Sequence, residues 1–295
     1  MFNDFTKKHP WLTKKIRNSI WNISCFSGFK IISSPIVGLQ STIHVDLDDD
    51  SVSKPIFFGS YERETIAFIR KFAKPGDIIF DVGANIGYFS IIFSELVRNE
   101  GMVHSFEPSR REYFKLCKNI SRNNLYNVFM NNLALGENDS YTQMSIFDDS
   151  KYGAYNTLGE VSHKKVLRSS YHSELIRIMR GDTYLSLFPG SDPNLLKIDV
   201  EGYESEVISG MSDLLQKDNG PCLIVEICQG THQNDVDKIA SLINSITSYG
   251  YELFQPDKAG NLVPFTLNAS LNCVAIKPTY HTNYMKERGI SINHG

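Results

Sequence analysis

The sequence predicts an α/β fold built on a doubly wound, mostly parallel sheet. Three observations carry that expectation: short apolar runs without polar alternation, a glycine-rich turn after the first run, and an acid at the tip of the next. Strands of a parallel sheet are covered on both faces and so lose the alternation of a half-exposed strand. The stretch from Gly76 to Pro108 shows all three features. Residues 78–82 form the first run, and Asp81, Gly83, Asn85 and Gly87 cluster at its carboxyl end. Gly83 and Gly87 lack a Cβ, so a ligand can lie against bare backbone there, while a helix starting near Gly87 directs free N–H groups to the same place. Residues 102–106 form the next strand. Glu107 lies 20 residues beyond Gly87, where a carboxylate at a strand tip accepts hydrogen bonds from both hydroxyls of a ribose. The expected ligand therefore contains adenosine.

The remaining elements follow in order. A helix is expected over 62–72, with Ile66, Phe68, Ile69 and Phe72 apolar, and Lys74-Pro75-Gly76-Asp77 turns into the first strand. A helix over 88–98, a strand over 102–106, a helix over 109–123 and a strand over 127–133 come next, followed by a polar irregular stretch. Residues 195–200 and 221–227 read as the fourth and fifth strands, with helices over 203–216 and 233–249 after them. Residues 251–255 and 271–277 read as the last two strands.

The turn decides what kind of adenosine is expected. Gly83-Ala84-Asn85-Ile86-Gly87 has two glycines four apart, unlike the G-x-G-x-x-G of a dinucleotide site, and offers no evident pyrophosphate cradle. The run DVGANIGYFS resembles motif I of class I S-adenosylmethionine-dependent methyltransferases. In that resemblance Asp81 helps hold the methionine end of the cofactor beside Gly83, Ala84, Asn85 and Gly87, and a β-branched side chain at Gly83 would fill the space that end needs. A second run, NLLKIDVEGYESE over 194–206, resembles the KIDVEG-x-E motif of the FkbM family of methyltransferases. Gly59-Ser60-Tyr61-Glu62, Asn132-Leu133-Ala134-Leu135-Gly136 and Leu223-Ile224-Val225-Glu226 lie in the order that family shows, the second of them adding Asn132 and Ala134 to the expected cofactor site. The likeness spans about Ser60 to Lys277. It departs at Arg180-Gly181-Asp182-Thr183-Tyr184-Leu185, a rearranged T-L-D element that lends Asp182 no role.

The resemblance implies a class I methyltransferase (Rossmann-like) fold of seven strands with the last antiparallel. It implies an S-adenosylmethionine-dependent O-methyltransferase acting on a saccharide or natural-product hydroxyl. The alternatives are an NAD-type oxidoreductase and a catalytically silent S-adenosylmethionine-binding protein. The expected organisation is an N-terminal extension over 1–59, a catalytic domain over 60–280 and a tail over 281–295.

The fourth strand carries the chemistry. Residues two apart on a strand share a face, so Lys197, Asp199 and Glu201 are expected on one side at the sheet's carboxyl end, a costly arrangement unless paired or open to a cleft. An alcohol acceptor must lose a proton, and Asp199 is the first candidate base, with Lys197 holding it ionised or orienting the acceptor hydroxyl and Glu201 and Glu204 behind it. His232 is the rival base. No metal is demanded; magnesium is an option if Asp199 and Glu226, on adjacent strand ends, both supply oxygens. Tyr152, Tyr155 and Asn156, in an irregular Tyr- and Ser-rich stretch, are candidates for stacking on and hydrogen bonding a sugar.

Composition excludes some classes. Across 295 residues the formal charge is −3 and the pI about 6.2, which gives no global field for nucleic acid. Five cysteines, Cys25, Cys117, Cys222, Cys228 and Cys273, contain no C-x-x-C pair and suit a reducing cytosol. The first 30 residues carry six lysines and arginines against Asp4, with Leu12, Ile16, Ile20 and Ile23 at helical spacing. That pattern fits an interfacial helix at a membrane, a helix packed on the core, or a contact with a second subunit. It does not read as a signal peptide, and no 18-residue apolar span exists.

Overall fold

The computed structural model describes residues 10–158, 169–227, 234–267 and 272–294, so His232 and Cys228 lie outside the described residues. The chain begins with α1 (Pro10–Phe26), the hairpin β1 (Ile31–Pro35) and β2 (Thr42–Asp46), and α2 (Ser53–Phe58). Then come α3 (Arg63–Phe72), β3 (Ile78–Val82), α4 (Tyr88–Val97), β4 (Met102–Phe106), α5 (Arg110–Arg122) and β5 (Val128–Asn131). A three-stranded excursion follows: β6 (Ala134–Gly136), β7 (Ser140–Phe147) and β8 (Tyr171–Arg180). The last part comprises α6 (Gly181–Leu187), β9 (Leu195–Ile198), α7 (Glu204–Ser209), α8 (Ser212–Gln216), β10 (Cys222–Glu226), α9 (Asn234–Ser248), β11 (Glu252–Pro256), β12 (Leu262–Pro264), β13 (Asn272–Ile276) and α10 (Pro278–Glu287).

The main sheet runs β12-β11-β13-β10-β9-β3-β4-β5. β5, β4, β3, β9 and β10 are mutually parallel, and β13 enters antiparallel between β10 and β11. The expected doubly wound α/β architecture is therefore present, with one more strand than the expected seven. β12 is only three residues long and carries Pro264, too short to stand out as an apolar run. It is attached to the edge by a turn in which Asp257 Oδ1 accepts the N–H groups of Ala259 and Asn261, both at 2.8 Å.

Helix faces follow the apolar spacing. On α3, Thr65, Phe68, Ile69 and Phe72 are buried, an i, i+3, i+4, i+7 stripe against the sheet. α4 is buried nearly all round: it packs on β3, β4 and α5, and its Glu95 accepts the N–H groups of Gln40 and Ser41 from the N-terminal hairpin. The terminal segments are not loose: Trp21, Ile43 and Val45 near the start and Met285 and Ile290 near the end share one apolar core with Ile79 and Ile91. Arg288 ties the chain's end to the start of β3 through Phe72 O at 2.6 Å and the Asp77 carboxylate at 3.3 Å.

Two expectations need correction. The stretch after β5 is not irregular throughout, since β6, β7 and β8 form a second sheet of order β6-β8-β7. Alternation is legible in β8, where Ile176 and Ile178 turn inward, but the first five residues of β7 are mostly exposed and blur its period. The expected helix over 203–216 is broken at Gly210. A Cβ there would lie 1.9 Å from the carbonyl oxygen of Gly136, so the chain can pass β6 only as glycine and restarts as α8.

Candidate active site

Register builds the site. Val82 of β3 pairs with Phe106 of β4 on one side and Ile198 of β9 on the other, and Ile198 pairs with Val225 of β10. The next residue of each strand, Gly83, Glu107, Asp199 and Glu226, therefore leaves the sheet in one row. Gly83, Glu107 and Asp199 border a cleft whose other walls include Tyr61, Tyr88 and Asn156. Position at the carboxyl ends of parallel strands is where such sheets bind ligands.

At one end of the row the turn is pinned by its own backbone. The N–H groups of Gly83 and Ala84 both donate to Phe106 O at 3.0 Å, and Gly83, Asn85 and Gly87 all have positive φ. The Asn85 N–H donates to Glu107 Oε2 at 2.8 Å and the Ser109 N–H to Oε1 at 2.9 Å, so the carboxylate is fixed while each oxygen keeps a further lone pair. Burial, reinforced by Glu112, pushes Glu107 up to about 8. Ala84, Asn85 and Ala134 line the cleft beside it.

The other expected cofactor residues sit around the cleft differently. Asp81 is fully buried, with Oδ2 accepting from Ser90 at 2.6 Å and Oδ1 lacking a hydrogen-bond partner among the described residues; burial raises its pKa. Gly87 caps α4 and packs against Leu116. Asn132 donates to the carbonyls of Glu107 and Pro108, both at 2.9 Å, and so clamps the loop that carries Glu107. At Gly83, a Cβ would meet the carbonyl oxygen of Asp199 at 1.8 Å. Expectation had ligand space there; in the structure, the main chain after β9 occupies it.

The polar end centres on Lys197. It is 1% exposed, and its Nζ lies 2.7 Å from Asp199 Oδ2 and 4.4 Å from the Phe89 ring centroid. Burial opposes its charge, yet Asp199, Glu62 and Asp81 together hold the ammonium above its ordinary pKa. β9 ends at Ile198 rather than 200, so Glu201 does not reach this side by strand pleat. A turn with φ +54° at Glu201 carries it there, and its carboxylate, that of Asp199 and that of Glu226 lie within 4.8 Å of one another. Burial, then Asp199 and Glu204, raise Glu201 well above the carboxylate range. Glu204 accepts the N–H groups of Val200 and Gly202 at 3.2 and 3.1 Å and so holds this turn.

Sequence reasoning gave no role to several cleft neighbours. Glu62 accepts from Asn272 at 2.7 Å and lies within electrostatic reach of Lys197, its pKa pushed up by burial to about 7. Tyr61 packs edge-on to Tyr88, with ring centroids 5.7 Å apart. Their signal was the Gly59–Glu62 segment, noted without a function. In the irregular stretch, Tyr152 packs on Phe147 and Tyr155, whereas Asn156 reaches the cleft. Its oxygen accepts from Phe147 N at 3.0 Å, and its buried amide nitrogen has no partner among the described residues.

The charged groups here are thus one lysine among Asp199, Glu201, Glu226, Glu62 and Asp81, with the Glu107 carboxylate at the far end. A model of the "Methyltransferase FkbM domain" matches residues 81–253. The hexuronic acid methyltransferase AglP of Haloferax volcanii is 32% identical over 180 residues, 61% of this chain and 68% of that protein. The 31-O-demethyl-FK506 methyltransferase FkbM of Streptomyces tacrolimicus is 28% identical over 161 residues, 48% of this chain and 61% of that protein.

Proposed function

The chain belongs to the FkbM methyltransferase family, and on that premise we propose that it moves a methyl group from S-adenosylmethionine to a hydroxyl oxygen of a saccharide or natural-product acceptor. The observation that carries this reading is the charge of the donor set around Lys197. A carboxylate excess suits a ligand with a sulfonium and an ammonium and disfavours a pyrophosphate. When bound, S-adenosylmethionine supplies a methyl group already activated by its sulfonium. Glu107 takes the ribose hydroxyls on the lone pairs left by Asn85 and Ser109, flanked by Ala84, Asn85 and Ala134. Lys197 grips Asp199 by Oδ2, and Asp199 accepts the acceptor's hydroxyl proton as the new oxygen–carbon bond forms. Glu201 and the Asn156 amide face the same cleft and hydrogen-bond the acceptor's other polar groups. The spacing of Asp199, Glu201 and Glu226 would also suit oxygen ligands of magnesium. The reading assigns no step to a metal, because Lys197 already supplies the cation beside Asp199. The names of the two relatives, acting on a hexuronic acid and on 31-O-demethyl-FK506, support a hydroxyl-bearing acceptor.

Calorimetry tests the cofactor half of this reading: S-adenosylhomocysteine binds, and binds more tightly than NAD. Tighter NAD binding would favour an oxidoreductase. Glu107→Ala weakens S-adenosylhomocysteine by about 1.5–3 kcal/mol, the usual worth of hydrogen bonds to a charged group; unchanged affinity would remove the ribose assignment.

The same residue predicts a pH dependence. Burial holds Glu107 protonated up to about 8, whereas hydroxyl donors favour the ionised form, so binding releases a proton. Cofactor affinity therefore rises with pH and levels off above that value, by roughly tenfold between about pH 6 and 8. Glu107→Gln flattens the profile; a profile that keeps its slope in this variant assigns the titration elsewhere. Stability has the opposite sign. The unfolded carboxyl ionises near its ordinary value while the folded one still binds its proton, so this group's contribution falls as pH rises from about 4.5 to 8.

A further inference from the structure

We propose that the outward face of α1 is a docking surface for an anionic lipid bilayer. One side of this helix is fixed to the body of the protein. Trp21 is 6% exposed, with its ring 5.2 Å from that of Phe57 and 5.8 Å from that of Phe58, and the Arg17 guanidinium donates to Phe57 O. At 100° per residue, Ile16, Ile20 and Ile23 lie together about 120° around the helix from Arg17 and Trp21. They are 38%, 46% and 64% exposed, and Phe26, the last residue of the helix, and Phe29 just beyond it are also exposed, at 94% and 63%. Three large apolar side chains on one exposed face, with two more exposed phenylalanines at and just beyond its end, are more than the scattered surface apolars of an ordinary fold.

Charge chooses the occupant. The first 30 residues hold Lys7, Lys8, Lys14, Lys15, Arg17 and Lys30 against Asp4 alone, a net +5, which leaves the rest of the chain at −8 of its −3 total. Lys15 and Lys30, at either end of the strip, are exposed. A basic segment with an apolar ridge, on a body that is otherwise acidic, is drawn to an anionic surface and oriented by it with the body facing water. The opposite, body-facing side of α1 lies toward the cleft. Arg17 is within electrostatic reach of Tyr88, a cleft wall, and α2, on which Trp21 sits, leads directly into Tyr61 and Glu62. The surface itself is independent of the chemistry in the cleft.

The test is co-sedimentation of the full chain with vesicles of phosphatidylcholine alone, and with about one-third phosphatidylglycerol. The protein is expected to bind the anionic vesicles at low salt, to release as ionic strength rises, and to bind the neutral ones far less. An Ile20→Glu, Ile23→Glu double variant loses roughly tenfold or more of this binding. Its circular dichroism and S-adenosylhomocysteine affinity stay unchanged, since neither residue touches the core or the cleft. Failure to sediment with anionic vesicles, or undiminished binding by the variant, overturns the proposal. A solution dimer that the double variant dissociates would also overturn it, assigning the face to a second copy of this chain.

Discussion

Asp199→Asn is expected to slow single-turnover methyl transfer by roughly 10²–10⁴, the usual worth of a general base, while cofactor affinity stays within a few-fold. The substitution keeps size and shape, and the asparagine oxygen still accepts from Lys197, so the buried ammonium is not stranded. Only the ability to take the acceptor's proton at neutral pH is removed. His232→Ala, the rival variant, is expected to cost much less. If His232→Ala is the severe change and Asp199→Asn is close to normal, the two roles must be exchanged. If both turn over normally, positioning alone accounts for the rate.

Gly83→Ala is expected to abolish measurable cofactor binding and to lower stability by about 3 kcal/mol or more, through two additive costs. The backbone at Gly83 has φ +85°, which an alanine adopts with strain, and its Cβ would sit 1.8 Å from the carbonyl oxygen of Asp199. Gly190 provides the control. Its φ is +86°, but an added Cβ there meets nothing within 4 Å. Gly190→Ala should therefore cost only the conformational part, about 1 kcal/mol, and leave the cofactor bound. Thermal melts of both variants, with S-adenosylhomocysteine titrations, separate strain from collision. Equal destabilisation by the two would show that the contact between the motif I turn and the residue after β9 relaxes freely.

That contact also shows what could be read from the chain before folding. The parallel strands were legible because residues 78–82, 195–198 and 222–226 have no polar face to show water, and the acid tips at Glu107, Asp199 and Glu226 stood out against them. The Lys197–Asp199 pair followed from two-residue spacing. Glu201 joined them for a reason spacing does not contain, a left-handed turn after the strand had ended. What was not legible comes from distant segments meeting. Asn272 faces Glu62 only because β13 inserts antiparallel beside β10, pairing Asn272 with Glu226. The Asp199 carbonyl meets Gly83 only because β9 lies next to β3. The β6–β8 sheet is not legible in the sequence because β6 is only three residues long and β7 and β8 are exposed along much of their length.

The most direct measurement of the central claim is transfer of an isotopically labelled methyl group from S-adenosylmethionine to a panel of hydroxyl-bearing acceptors, hexuronic acid oligosaccharides and macrolide polyols among them, with the product located by mass spectrometry. The account predicts one ether-linked methyl on an acceptor oxygen, stoichiometric release of S-adenosylhomocysteine, and loss of both in Asp199→Asn. Label found on nitrogen or carbon, or cofactor bound tightly with no label transferred to any hydroxyl of the panel, would contradict it.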